Sequence, residues 1–185
     1  MKILGIDPGS INCGYGLITK IRKIRDTSHI YGSISRKVDT NMGCVPNFSK
    51  LQYLSSGRIV LPAKKPLYVR LRELYTSLAD VIAEYKPDEI VIEKIFFAKG
   101  TKAALSLGHT RGVVLLAASL TGLSIYEYSA LEVKKAVVGY GRADKNQVQK
   151  MVREILNIKH SLSPDSADAL ALAICHANTR QFDLR

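Results

Sequence analysis

Residues 3–10 read Ile3-Leu4-Gly5-Ile6-Asp7-Pro8-Gly9-Ser10. A near-continuous apolar run this short is the pattern of a strand covered on both faces. It runs into one carboxylate and then into a Pro-Gly turn, which stops the ladder and reverses the chain. Gly14 and Gly16 flank Tyr15 where a return strand begins, over about Cys13 to Ile18. Asp7 therefore ends a buried central strand, where an unpaired negative charge is costly. The remaining chain has to supply whatever neutralises it.

A second apolar run, Ile90-Val91-Ile92, also ends in an acid, Glu93. It follows a helix marked by Leu71, Leu74, Leu78, Val81, Ile82 and Tyr85 at helical spacing. That helix opens at Pro66 and is stopped by Lys86-Pro87-Asp88. Strands ending in acids point to a site at the carboxyl edge of the sheet, where open α/β sheets place their ligands. The last helix begins at Ser163-Pro164, a capping serine with proline in the first turn. Asp165 and Asp168, three apart, share one face of that turn.

Four converging acids repel one another unless divalent cations lie among them. Hard oxygen donors in this number suit Mg²⁺ or Mn²⁺. Two such ions clamp the attacking and leaving oxygens of a phosphodiester displacement. Each piece also has a plainer explanation. Acids favour a helix N-terminus, Glu93 can simply end a strand, and a basic run is usually a solvated face. Asp7 resists such dismissal.

The chain has 185 residues with a hydrophobic fraction of 46%, one domain's worth of core. Its net charge of +11 suits a polyanionic partner such as nucleic acid, or else serves solubility alone. Lys134, Lys135, Arg142, Lys145, Lys150 and Arg153 gather just before the last helix, where they would face a phosphate backbone. Cys13, Cys44 and Cys175 are odd in number and lack CxxC spacing, which argues for a reducing compartment and against a zinc site. Asp7 interrupts the apolar N-terminus too early for a signal peptide. The longest apolar run, Val113 to Leu120, is too short for a bilayer. The expectation is a cytoplasmic protein.

Between the return strand and residue 50 lies a polar, basic segment containing Arg22, Lys23, Arg25, Arg36 and Lys37. Ile30 to Ile34 pairs there as an extra hairpin, or the segment is a surface excursion. Leu51 to Leu61 is strand-like but interrupted by Ser55-Ser56-Gly57. Thr101 to Thr121 reads as a helix with Ala104, Gly108 and Gly112 four apart, a smooth stripe for internal packing or a subunit contact. Ser124 to Tyr128 is a further strand and Leu131 to Val138 a short helix. Asp144 and Gln147 form a capping box for a helix carrying Val148, Met151, Val152, Ile155 and Leu156. Strands in a meander, then alternating helices and strands, give an α/β sheet layered with helices.

Four blocks then line up in order: ILGIDPGSINCGYG (Ile3 to Gly16), IEKIFFAK (Ile92 to Lys99), VKKAVVGYGRADK (Val133 to Lys145) and DSADALALAICH (Asp165 to His176). Together they resemble the signature blocks of the RuvC-type Holliday-junction resolvases and span nearly the whole chain. The resemblance implies an RNase H-like fold: a five-stranded mixed sheet, three antiparallel strands and two parallel, flanked by helices. It implies a homodimer that binds a four-way DNA junction and nicks two opposing strands symmetrically, served by a branch-migration helicase complex. It assigns two Mg²⁺ per subunit to Asp7, Glu93, Asp165 and Asp168, with Mn²⁺ as a substitute. Phe96 would lie against unstacked bases near the crossover, Lys99 would contact DNA, and Lys134 and Lys145 would lie near the scissile phosphate. It also favours the subunit-contact reading of the helix from Thr101.

On this reading residues 1–185 are one nuclease domain, with a basic insertion at about 21–50 that departs from the compact family pattern. Gly100 also stands where some relatives carry a polar side chain. Two rival classes are a kinase or ATPase of the actin and sugar-kinase type, which needs two lobes, and a non-catalytic junction-binding protein with structural metal.

Overall fold

The computed structural model describes residues 1–9, 11–21, 50–94 and 101–180. Most of the basic segment, with its possible hairpin at Ile30 to Ile34, lies outside them, as do Phe96, Lys99 and Gly100. Five strands form one sheet in the order β3-β2-β1-β4-β5. They are β1 (Lys2–Pro8), β2 (Asn12–Ile21), β3 (Lys50–Val60), β4 (Glu89–Glu93) and β5 (Ser124–Tyr128). The first three are antiparallel, and β4 and β5 run parallel to β1. The mixed sheet expected from the resemblance is therefore present, with the Asp7 strand at its centre.

Alternation along β1 assigns its faces. Leu4 and Ile6 pack under α1 (Leu67–Tyr85) and α2 (Thr101–Leu120), with Leu74, Leu78, Ile82, Val114, Ala117 and Ala118. Ile3 points the other way, toward α3 (Ala130–Val138), α4 (Lys145–Leu156) and α5 (Pro164–Thr179). Asp7 shares that second face by its period of two. In β4, Ile90 and Ile92 belong to the first core and Val91 to the second, so Glu93 falls on Asp7's side. Each large aliphatic residue buried here contributes roughly 1.5–3 kcal/mol.

Helix α5 lies unusually close to the sheet, because the strands beneath it lack side chains. Gly5 pairs with Gly16, and Asp7 with Gly14. A Cβ on Gly5 would lie 2.0 Å from the Ala169 carbonyl oxygen, and one on Gly14 2.1 Å from that of Asp165. The far end of α5 is fastened by buried polar groups. His176 Nε2 lies 2.7 Å from Glu89 Oε2, and its Nδ1 2.8 Å from the Tyr128 hydroxyl. Burial, helped by the Lys20 charge, pushes the imidazole down to about 4. The neutral ring therefore donates to Glu89 and accepts from Tyr128, while Arg180 supplies the charge partner of Glu89.

Several details differ from the sequence reading. Ser55-Ser56-Gly57 does not break β3. The strand absorbs an extra residue in a bulge opposite Leu17/Ile18, and Gly57 runs beneath the Tyr15 ring. Pro8 still pairs with Cys13 as the last residue of the ladder. Pro66 is the N-cap of α1 and not its first turn. The capping box of α4 and the Ser163-Pro164 start of α5 are as expected.

Candidate active site

Three elements bring the carboxylates together. Asp7 stands at the end of β1 and Glu93 at the end of β4, on the sheet face that α5 covers. The register Gly5↔Val91 and Ile6↔Ile92 sets these strand ends side by side. Asp165 and Asp168 project from the first turn of α5, brought down by Gly14. Ser166 locks that turn by donating from its hydroxyl to the Gly57 carbonyl at 3.0 Å.

Asp7, Glu93 and Asp168 line one pocket of about 220 Å³, together with Lys134, Lys145 and the apolar wall of Val133, Val148 and Leu172. Asp165 sits to one side of it, with Oδ2 3.9 Å from Arg58 Nη1. Arg58 carries no sequence signal of its own, since it is one basic residue within a strand. Both lysines expected near the scissile phosphate border the pocket. Lys145 Nζ is 3.8 Å from Asp168 Oδ2 with its side chain 79% exposed, so the pair adds little to stability and leaves the cation free to meet an anion.

Negative charge is in excess here. Burial is the main reason that the Asp7 carboxyl is pushed up to about 7, with the charges of Asp168, Glu93 and Asp165 adding to it. Burial and Asp168 raise Glu93 as well. Asp168 is raised by burial and by Asp165, against the pull of Lys145 and Lys134. Two lysines thus do not offset the acids. Among the described residues no three His, Cys, Asp or Glu side chains are gathered into a ready-made ion cage. The donor set still fits a hard divalent cation, being all oxygen and short of positive charge. Cys13, beside Asp7, has its thiol pushed up to about 12, chiefly by burial. It is an inert core residue, and Cys175 is likewise buried and free.

A family model described as crossover junction endodeoxyribonuclease RuvC matches residues 38–176. The chain is similar to the crossover junction endodeoxyribonuclease RuvC of Syntrophotalea carbinolica, at 44% identity over 96% of this chain and 94% of that one. The RuvC of Marinobacter nauticus is 42% identical over 99% of this chain and 89% of its own length. Among solved structures, T. thermophilus RuvC in complex with a Holliday junction substrate superposes with a TM-score of 0.80. It is 27% identical, over 99% of this chain and 96% of that one. Sequence, covered length and fold thus agree with the acid-ended strands and the doubly acidic helix, and this chain belongs to the crossover junction endodeoxyribonuclease RuvC family.

Proposed function

We propose that this protein resolves four-way DNA junctions by hydrolysing one phosphodiester in each of two opposing strands. The observation that carries the proposal is the convergence of Asp7, Glu93 and Asp168 on one pocket bordered by Lys134 and Lys145. With Asp165 beside them, these carboxylates are the proposed holders of two Mg²⁺ ions per subunit, with Mn²⁺ able to substitute. Ions held there would supply the charge neutralisation and water activation on which phosphodiester hydrolysis depends.

The chain's own groups have separate tasks. Asp7, whose carboxyl feels the charges of Asp168, Glu93 and Asp165, would be a ligand of ions held here. Lys145 and Lys134 counter the charge that builds on the phosphate as water attacks. Phe96 and Lys99, which follow Glu93 in the chain, are proposed to contact bases and backbone near the crossover. With the 3′ oxygen as the leaving group, such hydrolysis would leave a 5′-phosphate and a 3′-hydroxyl.

Paired nicking requires two sites, and the outer face of α2 is the proposed subunit contact. Leu105, Leu116 and Leu120 are 64%, 52% and 66% exposed there, and nothing lies within 4 Å of a Cβ placed on Gly108 or Gly112. The glycine stripe is therefore not used for packing within the described residues, and a second copy would meet it at close range. Two-fold spacing of the sites would then select junction shape, since phosphate contacts position without reading sequence. We take residues 1–185 as one nuclease domain with a basic insertion at about 21–50, acting in the cytoplasm with a branch-migration helicase complex. No helix among the described residues is long and apolar enough to cross a membrane.

A synthetic four-way junction incubated with protein and Mg²⁺ tests the proposal. The expected result is paired nicks at symmetry-related positions, absent on linear duplex. Asp7→Asn should abolish cleavage and leave junction binding intact. Cleavage that survives this change undiminished overturns the metal-site assignment.

A further inference from the structure

Glu93 is the only proposed metal-holding carboxylate on β4, and its main chain is gripped from α2. Arg111 donates from Nη1 to the Glu93 carbonyl oxygen at 2.6 Å. Its Nη2 stands 2.5 Å from Glu127 Oε1 on β5, and the side chain is 14% exposed. One residue on, the Lys94 amide donates to the Tyr128 carbonyl at 2.8 Å. Both main-chain groups that leave Glu93 are thus anchored, one to a strand and one to a helix.

A largely buried guanidinium is costly unless its donors are satisfied, and here two acceptors on two strands meet its planar fork. Helix α2 does not need this group to dock, because Val114, Ala117 and Ala118 already seat it on the sheet. Within Thr101–Leu120 the only charged residues are Lys102 and Arg111. Arg111 is therefore a specific clamp, and it closes on the backbone of the acid.

We propose that Arg111 is a positioning residue for Glu93, fastening the carboxylate-bearing end of β4 to the helix whose outer face makes the proposed subunit contact. The inference rests on the assignment of Glu93 as a metal-holding carboxylate. Arg111 acts through the main chain and touches neither metal nor DNA, so its removal should loosen the aim of one carboxylate and leave the rest of the site.

The test is Mn²⁺ binding to the full chain, followed by electron paramagnetic resonance, for R111Q, R111K, E127Q, E93Q and the R111Q/E93Q pair. R111Q should weaken Mn²⁺ about 10-fold, the range for residues that orient a ligand. R111K should restore only part, because an ammonium cannot fork, and E127Q should show a smaller loss of the same sign. Junction cleavage by R111Q should fall in kcat, with KM and dimer mass unchanged. In the E93Q background, R111Q should cost nothing further. An equal loss in that background overturns the inference, as does wild-type Mn²⁺ affinity in R111Q. If R111Q does not fold, E127Q carries the same comparison, and wild-type Mn²⁺ affinity there also overturns it. Wild-type Mn²⁺ affinity in E93Q alone instead sinks the assignment of Glu93 itself.

Discussion

With its carboxyl pushed up to about 7 by burial and by Asp168, Glu93 and Asp165, Asp7 keeps a proton in the folded chain that the unfolded chain releases near 3.8. The sign follows from linkage. The folded state binds this proton more tightly, so the stabilisation is fully present below the unfolded value and is lost as pH rises through the folded one. Metal-free protein should therefore lose stability between about pH 4 and pH 7, by at most roughly 4 kcal/mol for this group. Glu93 and Asp168, also raised, push the same way. Thermal unfolding in a chelating agent at pH 5 and pH 8 measures the effect. Asp7→Asn should flatten the dependence and raise the melting temperature at pH 8, and Mg²⁺ should recover much of the loss in the wild type. The acids themselves were legible in the sequence, because each ends an apolar run or sits in a capped first turn. Arg58 and Arg111 were not. Their partners are a helix carboxylate and a backbone carbonyl distant in sequence, and no local pattern encodes such a pairing. A single arginine in the middle of a mainly apolar helix was the one available hint.

The elements transmit that geometry through missing side chains. Helix α5 can set Asp168 over the strand ends only because Gly5, Gly14 and Gly16 leave the sheet bare beneath it. Gly14→Ala would drive a Cβ to 2.1 Å from the Asp165 carbonyl oxygen and 2.4 Å from its carbon, both backbone atoms. The helix start must then lift. The expected cost is about 1–3 kcal/mol of stability, with a larger proportional loss of cleavage because the displaced turn carries two of the four acids. Denaturant unfolding and junction cleavage, measured on the same preparation, compare the two losses. Gly108→Ala contrasts with it within the single chain, although the same residue lies on the proposed subunit contact. Its Cβ meets nothing within 4 Å, so the helix itself should gain about 0.5–1 kcal/mol. Element boundaries were readable where a cap or a proline marks them, as at Asp144, Ser163 and Pro164. The bulge in β3 was not, because Ser55-Ser56-Gly57 looks like a loop until β2 supplies the ladder that holds it.

For the whole molecule, the exposed leucines of α2 and the crowded acids of the pocket are the two features that the proposed paired cutting needs. Leu116→Glu should leave the fold intact, since the residue is 52% exposed, but convert the proposed dimer into a monomer, as read by sedimentation. Such a monomer should lose paired nicking while its melting temperature stays near that of the wild type. The layered α/β architecture was legible from the order of the elements, whereas the outward aim of the glycine stripe depends on how α2 rolls against the sheet. Residue 7 belongs to the first of the described strands, and residues 165 and 168 to the last of the described helices. The sheet's Asp7 strand waits, bare over its glycines, until that helix arrives. The proposed metal site is thus assembled only by the docking of that helix, the same contact that completes the second core.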